Sequence, residues 1–393
     1  MRRVCVLGST GSIGSQALEV IGRHGDMLSV AALAARDNVA ELARQANRFR
    51  PARLSIGSPE LVSQLRAELT YEPQAIGHGA GGLLQAVEGD VECVLAATDG
   101  MAGLDAVLAA VDRGLTVALA NKELAVAAGD PLFARARAAG AVILPVDSEH
   151  SAVFQCLAGE RIEDVRQVVL TASGGPFWEH SAERMRDVTP EQALAHPTWA
   201  MGPKNTLDSA TMMNKGLEII EASRFFGLSA DQLEIVVHRQ SVAHAFVIFT
   251  DGSVKAQLAA PDMRIPIGYA LAYPRRLPGA DATKTRTAIG LGGETARLTF
   301  EPLDESRFPA VALCFRALRA GGTYPAVLSA ANEEAGRAFL QGKMKFTDIS
   351  ALVGRALDAH AGGPATLEGI RAADAWAREI TRENVGRMNS LHI

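Results

Sequence analysis

The sequence predicts an α/β protein: an N-terminal Rossmann-like parallel sheet, a central α+β domain and a C-terminal helical bundle. Three observations lead there. In the first third, short β-rich apolar runs alternate with amphipathic helical stretches, the pattern of βαβ units whose sheet is covered on both faces. The first run enters a glycine-rich turn that opens a helix. From residue 309 onward the apolar spacing is helical throughout.

The β-rich runs of the first third lie at 4–7, 30–33, 53–56, 93–96, 117–119 and 142–146, with helical stretches at 12–22, 39–48, 61–68 and 104–113. The middle third opens with a helix at 148–157 and a strand at 168–170, followed by a polar stretch containing Trp and His over 177–204. A single long helix is expected over 210–226, then strands at 235–237, 245–249 and 254–258 in a mixed or antiparallel sheet. Pro, Gly, Thr and Arg without periodicity make 273–298 read as an extended linker. Helices follow at 311–319, 326–340, 349–360 and 367–387. The expected division is therefore 1–147, 148–272, a linker over 273–298, and 299–393.

Of the 393 residues 48% are hydrophobic and 21% charged, which suits large cores and excludes disorder. A formal net charge of -5 gives no basic stripe for nucleic acid, so an anionic ligand has to be met by locally placed cations or dipoles. No apolar stretch is long enough to span a membrane, and the run before Gly8 is too short for a signal-peptide core. Cys5, Cys93, Cys156 and Cys314 are scattered without paired spacing. They read as buried hydrophobes in a reducing compartment, and the expected location is cytoplasmic.

The first turn reads Gly8-Ser9-Thr10-Gly11-Ser12-Ile13-Gly14. Glycines there allow a sharp turn and a close approach to a pyrophosphate, which a helix N-terminus favours. The spacing is G-x-x-G-x-x-G rather than G-x-G-x-x-G, but the strand–turn–helix context supports a dinucleotide. The second strand ends in Ala35-Arg36-Asp37-Asn38. Arg36 favours the 2′-phosphate of NADPH; Asp37 and Asn38 read equally as a cap for the helix near Val39.

The 142–146 strand runs into Asp147-Ser148-Glu149-His150-Ser151. Two carboxylates at the carboxyl end of a parallel strand can meet a hard cation such as Mg²⁺ or Mn²⁺; an N-cap with a first-turn acid explains them equally well. Asn214, Lys215 and Glu218 share one face of an otherwise apolar helix, so their polar groups need partners. Ala120-Asn121-Lys122-Glu123 follows another strand at the ligand edge. Ala172-Ser173-Gly174-Gly175-Pro176 is either a phosphate nest or an ordinary tight turn. His196-Pro197-Thr198-Trp199-Ala200-Met201-Gly202 has the composition of a lid. The remaining histidines, His24, His78, His180, His238, His244, His360 and His392, show no ligand spacing, and no G-x-S-x-G elbow is present.

Taken in order, the glycine turn, Ala120–Glu123 and Pro145–Ser151, then Thr171–Phe177, His196–Gly202 and Asp208–Glu218, resemble the 1-deoxy-D-xylulose 5-phosphate reductoisomerase family. Asp251-Gly252-Ser253, Pro261-Asp262-Met263-Arg264 and Ala330-Ala331-Asn332-Glu333 extend the resemblance over nearly the whole chain. It implies metal-chelated rearrangement of 1-deoxy-D-xylulose 5-phosphate and reduction by NADPH to 2-C-methyl-D-erythritol 4-phosphate, in isoprenoid precursor synthesis. By matching positions, Asp147, Glu149 and Glu218 hold the metal (Mg²⁺ or Mn²⁺, with Co²⁺ a further option). Lys122, Glu149 and His196 are the expected catalytic groups. Ser148, Ser173, Ser209, Asn214 and Lys215, with Glu218, Trp199 and Met201, are the further expected substrate contacts. Thr10, Gly11, Ser12, Ile13, Arg36, Asp37, Asn38, Asn121, Glu123 and Gly202 are the expected NADPH contacts.

The resemblance also implies a homodimer acting on a small phosphorylated sugar, with neither nucleic acid nor membrane as partner. Asn205, Arg239 and Ala259 depart from the family pattern, and Asn205 lies close to the lid. A homoserine-dehydrogenase-like oxidoreductase also uses an Ala-Asn-Lys turn but does not require the three carboxylates. A non-catalytic NADPH-binding regulator would not need the polar pocket set.

Overall fold

The computed structural model describes residues 1–199, 201–278, 282–291 and 297–390. Ala200 in the expected lid, 279–281 and 292–296 in the expected linker, and His392 lie outside the described residues. In chain order the elements begin β1 (Arg2–Leu7), α1 (Ser12–Arg23), β2 (Leu28–Ala34), α2 (Val39–Phe49), β3 (Arg53–Ile56), α3 (Glu60–Glu68), β4 (Ala75–His78) and α4 (Gly79–Ala86). They continue β5 (Cys93–Ala96), α5 (Leu104–Asp112), β6 (Thr116–Leu119), α6 (Lys122–Ala139), β7 (Val142–Pro145), α7 (Ser148–Cys156), β8 (Val165–Ala172), α8 (Ala182–Met185), α9 (Pro190–Ala193), α10 (Pro203–Ala210) and α11 (Met213–Phe226). The remainder are β9 (Leu233–Val237), β10 (Ala243–Phe249), β11 (Val254–Leu258), α12 (Arg264–Ala272), α13 (Ala282–Ala288), β12 (Glu301–Pro302), α14 (Ala310–Ala320), α15 (Tyr324–Leu340), α16 (Asp348–Ala359) and α17 (Leu367–Ser390).

Two compact units emerge. The first comprises Met1–Leu124, Leu132–Ser151 and Asp262–Asp281. Its sheet has the order β4-β3-β2-β1-β5-β6-β7, with every pairing parallel. Val4, Cys5, Val6 and Leu7 of β1 are fully buried, as expected of a central strand covered on both faces. Burying each such aliphatic side chain contributes roughly 1.5–3 kcal/mol before chain entropy is subtracted. The order reverses between β1 and β5, the switch point where open α/β sheets bind ligands beyond the strand ends.

The strand β4 and helix α4 are additions to the expected pattern, since Gly77, Gly79, Gly81 and Gly82 give the region a loop-like composition. Packing explains two of those glycines: a Cβ on Gly77 would lie 2.7 Å from the Gly82 Cα. The helix thus sits directly on its strand. Another difference concerns α12, which falls within the expected central domain yet groups with the first unit. Arg264 of α12 pairs with Glu19 of α1 at 3.3 Å, and Arg2 Nη1 donates to the Leu271 carbonyl at 2.9 Å.

The second unit comprises Ala125–Pro131, Ala152–Pro261 and Ala282–Ile393. Its sheet runs β11-β10-β8-β9-β12 and is mixed: β8 pairs parallel with β9 and antiparallel with β10. The four C-terminal helices share a core with α11, where Met213, Leu217 and Ile220 pack with Ala310, Cys314, Val327 and Leu328. Gly216 permits this, since a Cβ there would lie 2.5 Å from the Cys314 Sγ. The expected linker contains the short helix α13.

The helix expected over 210–226 is α11, which starts only at Met213, after a break that separates it from α10. Met212 adopts a left-handed conformation, φ 61°, between α10 and α11. Thr211 Oγ1 donates to the Asp208 carbonyl at 3.2 Å and accepts from the Met213 amide at 3.3 Å. That hydroxyl competes with helix propagation and stabilises the break. Apolar periodicity continues across residues 210–226, so pattern alone did not reveal it. The polar stretch over 177–204 is likewise more structured than expected. Phe177, Trp178, Met185, Val188 and Ala193 enter the main core of the second unit, and α9 carries a capping box from Thr189 and Gln192.

Candidate active site

The glycine turn stands at the β1/β5 switch, and its three glycines do different things. Gly8 has φ 84°, and a Cβ there would lie 2.2 Å from the Ala97 carbonyl oxygen. A Cβ on Gly14 would lie 2.2 Å from the Gly8 oxygen. Gly8 therefore lets the turn lie against the chain just after β5, and Gly14 lets α1 pack on the turn. Gly11 meets only a 3.4 Å contact and is exposed, as is Ser12. Gly11 is also the N-cap of α1, so the exposed helix start presents amides and a positive dipole end outward. Thr10 and Ile13 flank it, each partly buried.

At the end of β2, Arg36 Nε donates to Asp37 Oδ2 at 2.8 Å. This bond holds the Arg36 guanidinium above its ordinary pKa. With side chains 78% and 71% exposed, the pair is worth at most about 1 kcal/mol and is readily exchanged for another anion. Asn38 is the cap of α2, its Oδ1 accepting from the Glu41 amide at 3.1 Å. The structure thus separates the two capping options, assigning Asn38 to the helix and leaving Asp37 on Arg36.

Asn121 is buried and caps α6, accepting from the Leu124 amide at 3.0 Å. Its amide nitrogen donates to the Thr98 and Gly100 carbonyls at 2.6 and 2.8 Å, tying the loop after β5 to the loop after β6. Lys122 and Glu123 follow in the first helical turn, both buried.

Lys122 Nζ donates to Asp147 Oδ2 at 3.0 Å. Asp147 follows β7, and its other oxygen accepts from the Glu149 amide at 3.2 Å and lies 3.1 Å from His150 Nδ1. One oxygen of this carboxylate thus serves the start of the helix and the other the lysine. Ser148 Oγ donates to Glu149 Oε2 at 2.6 Å. His150 is fully buried on α7, and its i, i+3 spacing from Asp147 was the signal available in the sequence.

In the second unit, Glu218 is buried and held on both oxygens. Asn214 Nδ2 donates to Oε1 and Lys215 Nζ to Oε2, the face shared at i, i+1 and i+4. Glu221, one turn further, is also buried. Its i, i+3 spacing from Glu218 was the signal available in the sequence.

His196 joins Ser173 and Ser209. Its Nε2 lies 3.1 Å from Ser173 Oγ and 3.0 Å from Ser209 Oγ. Nδ1 accepts from the Thr198 and Trp199 amides at 3.1 and 2.9 Å. An Nδ1 that accepts twice carries no proton, so the neutral ring carries its proton on Nε2. Burial lowers the His196 pKa below its ordinary value, in keeping with a neutral ring. The Ser173 turn is fixed from the other side: Gly174 and Gly175 have φ 82° and 66°, and a Cβ on Gly175 would lie 2.6 Å from the Ser209 carbonyl oxygen. Trp199 lies 6.4 Å from the His244 ring, centroid to centroid. Met201 is partly buried, and Gly202 caps α10 ahead of Pro203.

Of the three departures from the family pattern, one shares a helix with Ser209. Arg239 pairs with Glu179 at the surface, Ala259 is buried with its amide on the Val242 carbonyl, and Asn205 lies within α10.

Comparison with known proteins covers the chain in three blocks. A family model described as 1-deoxy-D-xylulose 5-phosphate reductoisomerase matches residues 4–129. Two describing C-terminal domains of that enzyme match 143–226 and 258–380. The reductoisomerase of Moorella thermoacetica is 51% identical over 382 residues, 96% of each chain. That of Cupriavidus necator is 47% identical over 395 residues, 99% of each. Among solved structures, the Zymomonas mobilis reductoisomerase in complex with NADPH superposes with a TM-score of 0.88 at 43% identity, covering 98% of this chain and 99% of that one. A reductoisomerase in complex with NADPH, fosmidomycin and magnesium gives 0.90 at 35% identity, with 99% of each covered.

Proposed function

We infer the work of individual residues from one premise: the chain belongs to the 1-deoxy-D-xylulose 5-phosphate reductoisomerase family. It is accordingly an NADPH- and divalent-metal-dependent oxidoreductase that converts 1-deoxy-D-xylulose 5-phosphate into 2-C-methyl-D-erythritol 4-phosphate. Identity over the full length sets aside the homoserine-dehydrogenase-like and regulator readings.

The proposed metal ligands are Asp147, Glu149 and Glu218. Their chemistry fits a hard divalent cation, being all carboxylate oxygen and no thiolate. When bound, the cation supplies Lewis acidity toward the substrate's neighbouring oxygens, and NADPH supplies the hydride. Lys122, oriented by Asp147 at 3.0 Å, stabilises negative charge developing on the substrate oxygen. Ser148 and Glu149 orient the substrate's hydroxyls. His196, neutral and protonated on Nε2, donates to the substrate together with the hydroxyls of Ser173 and Ser209. Asn214 and Lys215 supply further donors, and Lys215 the positive charge. Trp199 and Met201 cover the bound molecule and exclude water.

For the cofactor, the backbone at Thr10, Gly11, Ser12 and Ile13 cradles the pyrophosphate. Arg36 takes the 2′-phosphate in place of Asp37, while Asp37 and Asn38 flank the ribose. Asn121 and Glu123 also contact the cofactor, with Gly202 near the nicotinamide side. The assembly is proposed as a homodimer and the compartment as cytoplasm, both on family resemblance. Among the described residues no helix is long and apolar enough to cross a membrane.

The contact between Lys122 and Asp147 at the carboxyl edge of the parallel sheet carries this reading. The test follows NADPH absorbance with 1-deoxy-D-xylulose 5-phosphate, first with Mg²⁺ or Mn²⁺ and then with chelator. Oxidation requiring both substrate and metal is expected. No oxidation from folded, NADPH-binding protein with any divalent cation would overturn it.

A further inference from the structure

We propose that Asn332, on α15, is a positioning residue for the substrate's anionic group, acting through Asp208 on α10; the inference rests on the functional reading above. Asn332 is buried, and its Nδ2 donates to Asp208 Oδ1 at 2.7 Å. The other Asp208 oxygen accepts from Lys204 Nζ at 2.8 Å. Asp208 thus joins three points: a C-terminal helix, the first turn of α10, and the last turn of α10.

Those points matter because of what α10 carries. Gly202, which closes the lid sequence, caps it, and Lys204 lies in its first turn. Ser209, next to Asp208, meets His196 Nε2 at 3.0 Å. The Asp208 carbonyl accepts from Thr211 Oγ1, whose oxygen in turn accepts from the Met213 amide. Asp208 therefore also sets where α11 begins, and with it Asn214 and Lys215. Side-chain packing reinforces the link: a Cβ on Gly336 of α15 would lie 3.1 Å from Leu207 Cδ2. Helix α15 thus abuts α10 one residue before Asp208.

The buried hydrogen bond is charge-assisted and directional, so it sets the rotation and height of α10 rather than merely adding cohesion. A carboxylate in a largely apolar core needs such donors. With one removed, the carboxylate is under-satisfied and α10 shifts to find another. Phosphate-type recognition by Ser173, Ser209 and His196 would then lose register, because such sites need sub-ångström placement.

The test compares wild type, Asn332→Asp, Asn332→Ser and the exchange Asp208→Asn/Asn332→Asp. Steady-state kinetics, NADPH affinity, inorganic phosphate affinity by calorimetry and thermal midpoints are read on each. Asn332→Asp sets two carboxylates face to face, which a shared proton relieves. Its KM for substrate should rise about tenfold or more at pH 8 and recover as pH falls, with NADPH affinity unchanged. The exchange restores a donor facing a carboxylate and should return KM to within about threefold of wild type. Asn332→Ser, with a shorter donor, should fall between them.

Unchanged KM in Asn332→Asp would overturn the proposal. So would a folded exchange variant that fails to recover, or equal losses of NADPH and phosphate affinity in all variants. If the wild-type chain turned over no substrate, the functional reading would fail; phosphate affinities following the same order would still support the positioning role, and equal affinities would overturn it.

Discussion

Lys122 Nζ and Asp147 Oδ2 lie 3.0 Å apart, with side chains only 7% and 14% exposed. The pair links the start of α6 to the end of β7, two points at the ligand edge of one parallel sheet. Removing one partner of a buried pair leaves the other charge uncompensated. Asp147→Asn is expected to weaken Mg²⁺ dependence about a hundredfold or more while leaving NADPH affinity within about threefold. Metal titrations followed by turnover and by calorimetry check this. An unchanged Mg²⁺ requirement would remove Asp147 from the ligand set.

The glycine turn supplies a sharper contrast. Gly14→Ala forces a Cβ to 2.2 Å from the Gly8 oxygen, so it should cost several degrees of thermal midpoint and most NADPH affinity. Gly11→Ala meets only a 3.4 Å contact and should leave the midpoint nearly unchanged while weakening NADPH. Fluorescence titration and melting on both variants separate the roles. Equal stability losses would mean that Gly11, too, is structural.

Arg36 is the residue proposed to select the dinucleotide. Arg36→Ala removes the fork that meets a 2′-phosphate and should cost about tenfold or more in NADPH affinity with little change for NADH. Paired titrations with the two cofactors decide it. A uniform loss would place Arg36 in general electrostatics rather than in selection.

His196 predicts an acid limb. Its pKa is lowered by burial, so the unfolded chain takes up a proton first as pH falls. The neutral ring's contribution to stability is complete above about pH 6.5, the unfolded value, and is lost between there and the lower folded pKa. Protonating Nδ1 would also break the bonds from the Thr198 and Trp199 amides. Wild type should therefore lose thermal midpoint between pH 7.5 and 5.5 more steeply than His196→Asn. Coincident profiles would exclude a neutral, doubly accepting imidazole.

Much of this was legible in local chemistry. Glycine spacing, Arg36 after the second strand and the Asp147–Glu149 string each involve residues near one another in sequence, where strand-and-turn geometry brings them together directly. Asn214, Lys215 and Glu218 were legible for the same reason, since helical spacing dictates a shared face. Less legible was anything in which a local signal had two equally good outcomes. Asp147 reads as either cap or ligand; its Oδ1 accepts from the Glu149 amide and its Oδ2 from Lys122. Gly77 and Gly82 read as loop because composition cannot distinguish a glycine that frees the chain from one that admits a neighbour at 2.7 Å.

The sequence by itself determined the parallel sheet with its nucleotide-type turn, the strand-end carboxylates and the polar face of α11, because periodicity and short-range spacing are properties of neighbouring residues. Tertiary structure alone decided that α11 starts only after Thr211 and Met212, that α12 joins the first unit, that His196 meets Ser173 and Ser209, and that Asn332 reaches Asp208. Those outcomes depend on which distant surfaces are buried together. A buried donor or acceptor takes whatever partner the packed core brings within about 3 Å, and no spacing in the chain encodes that partner.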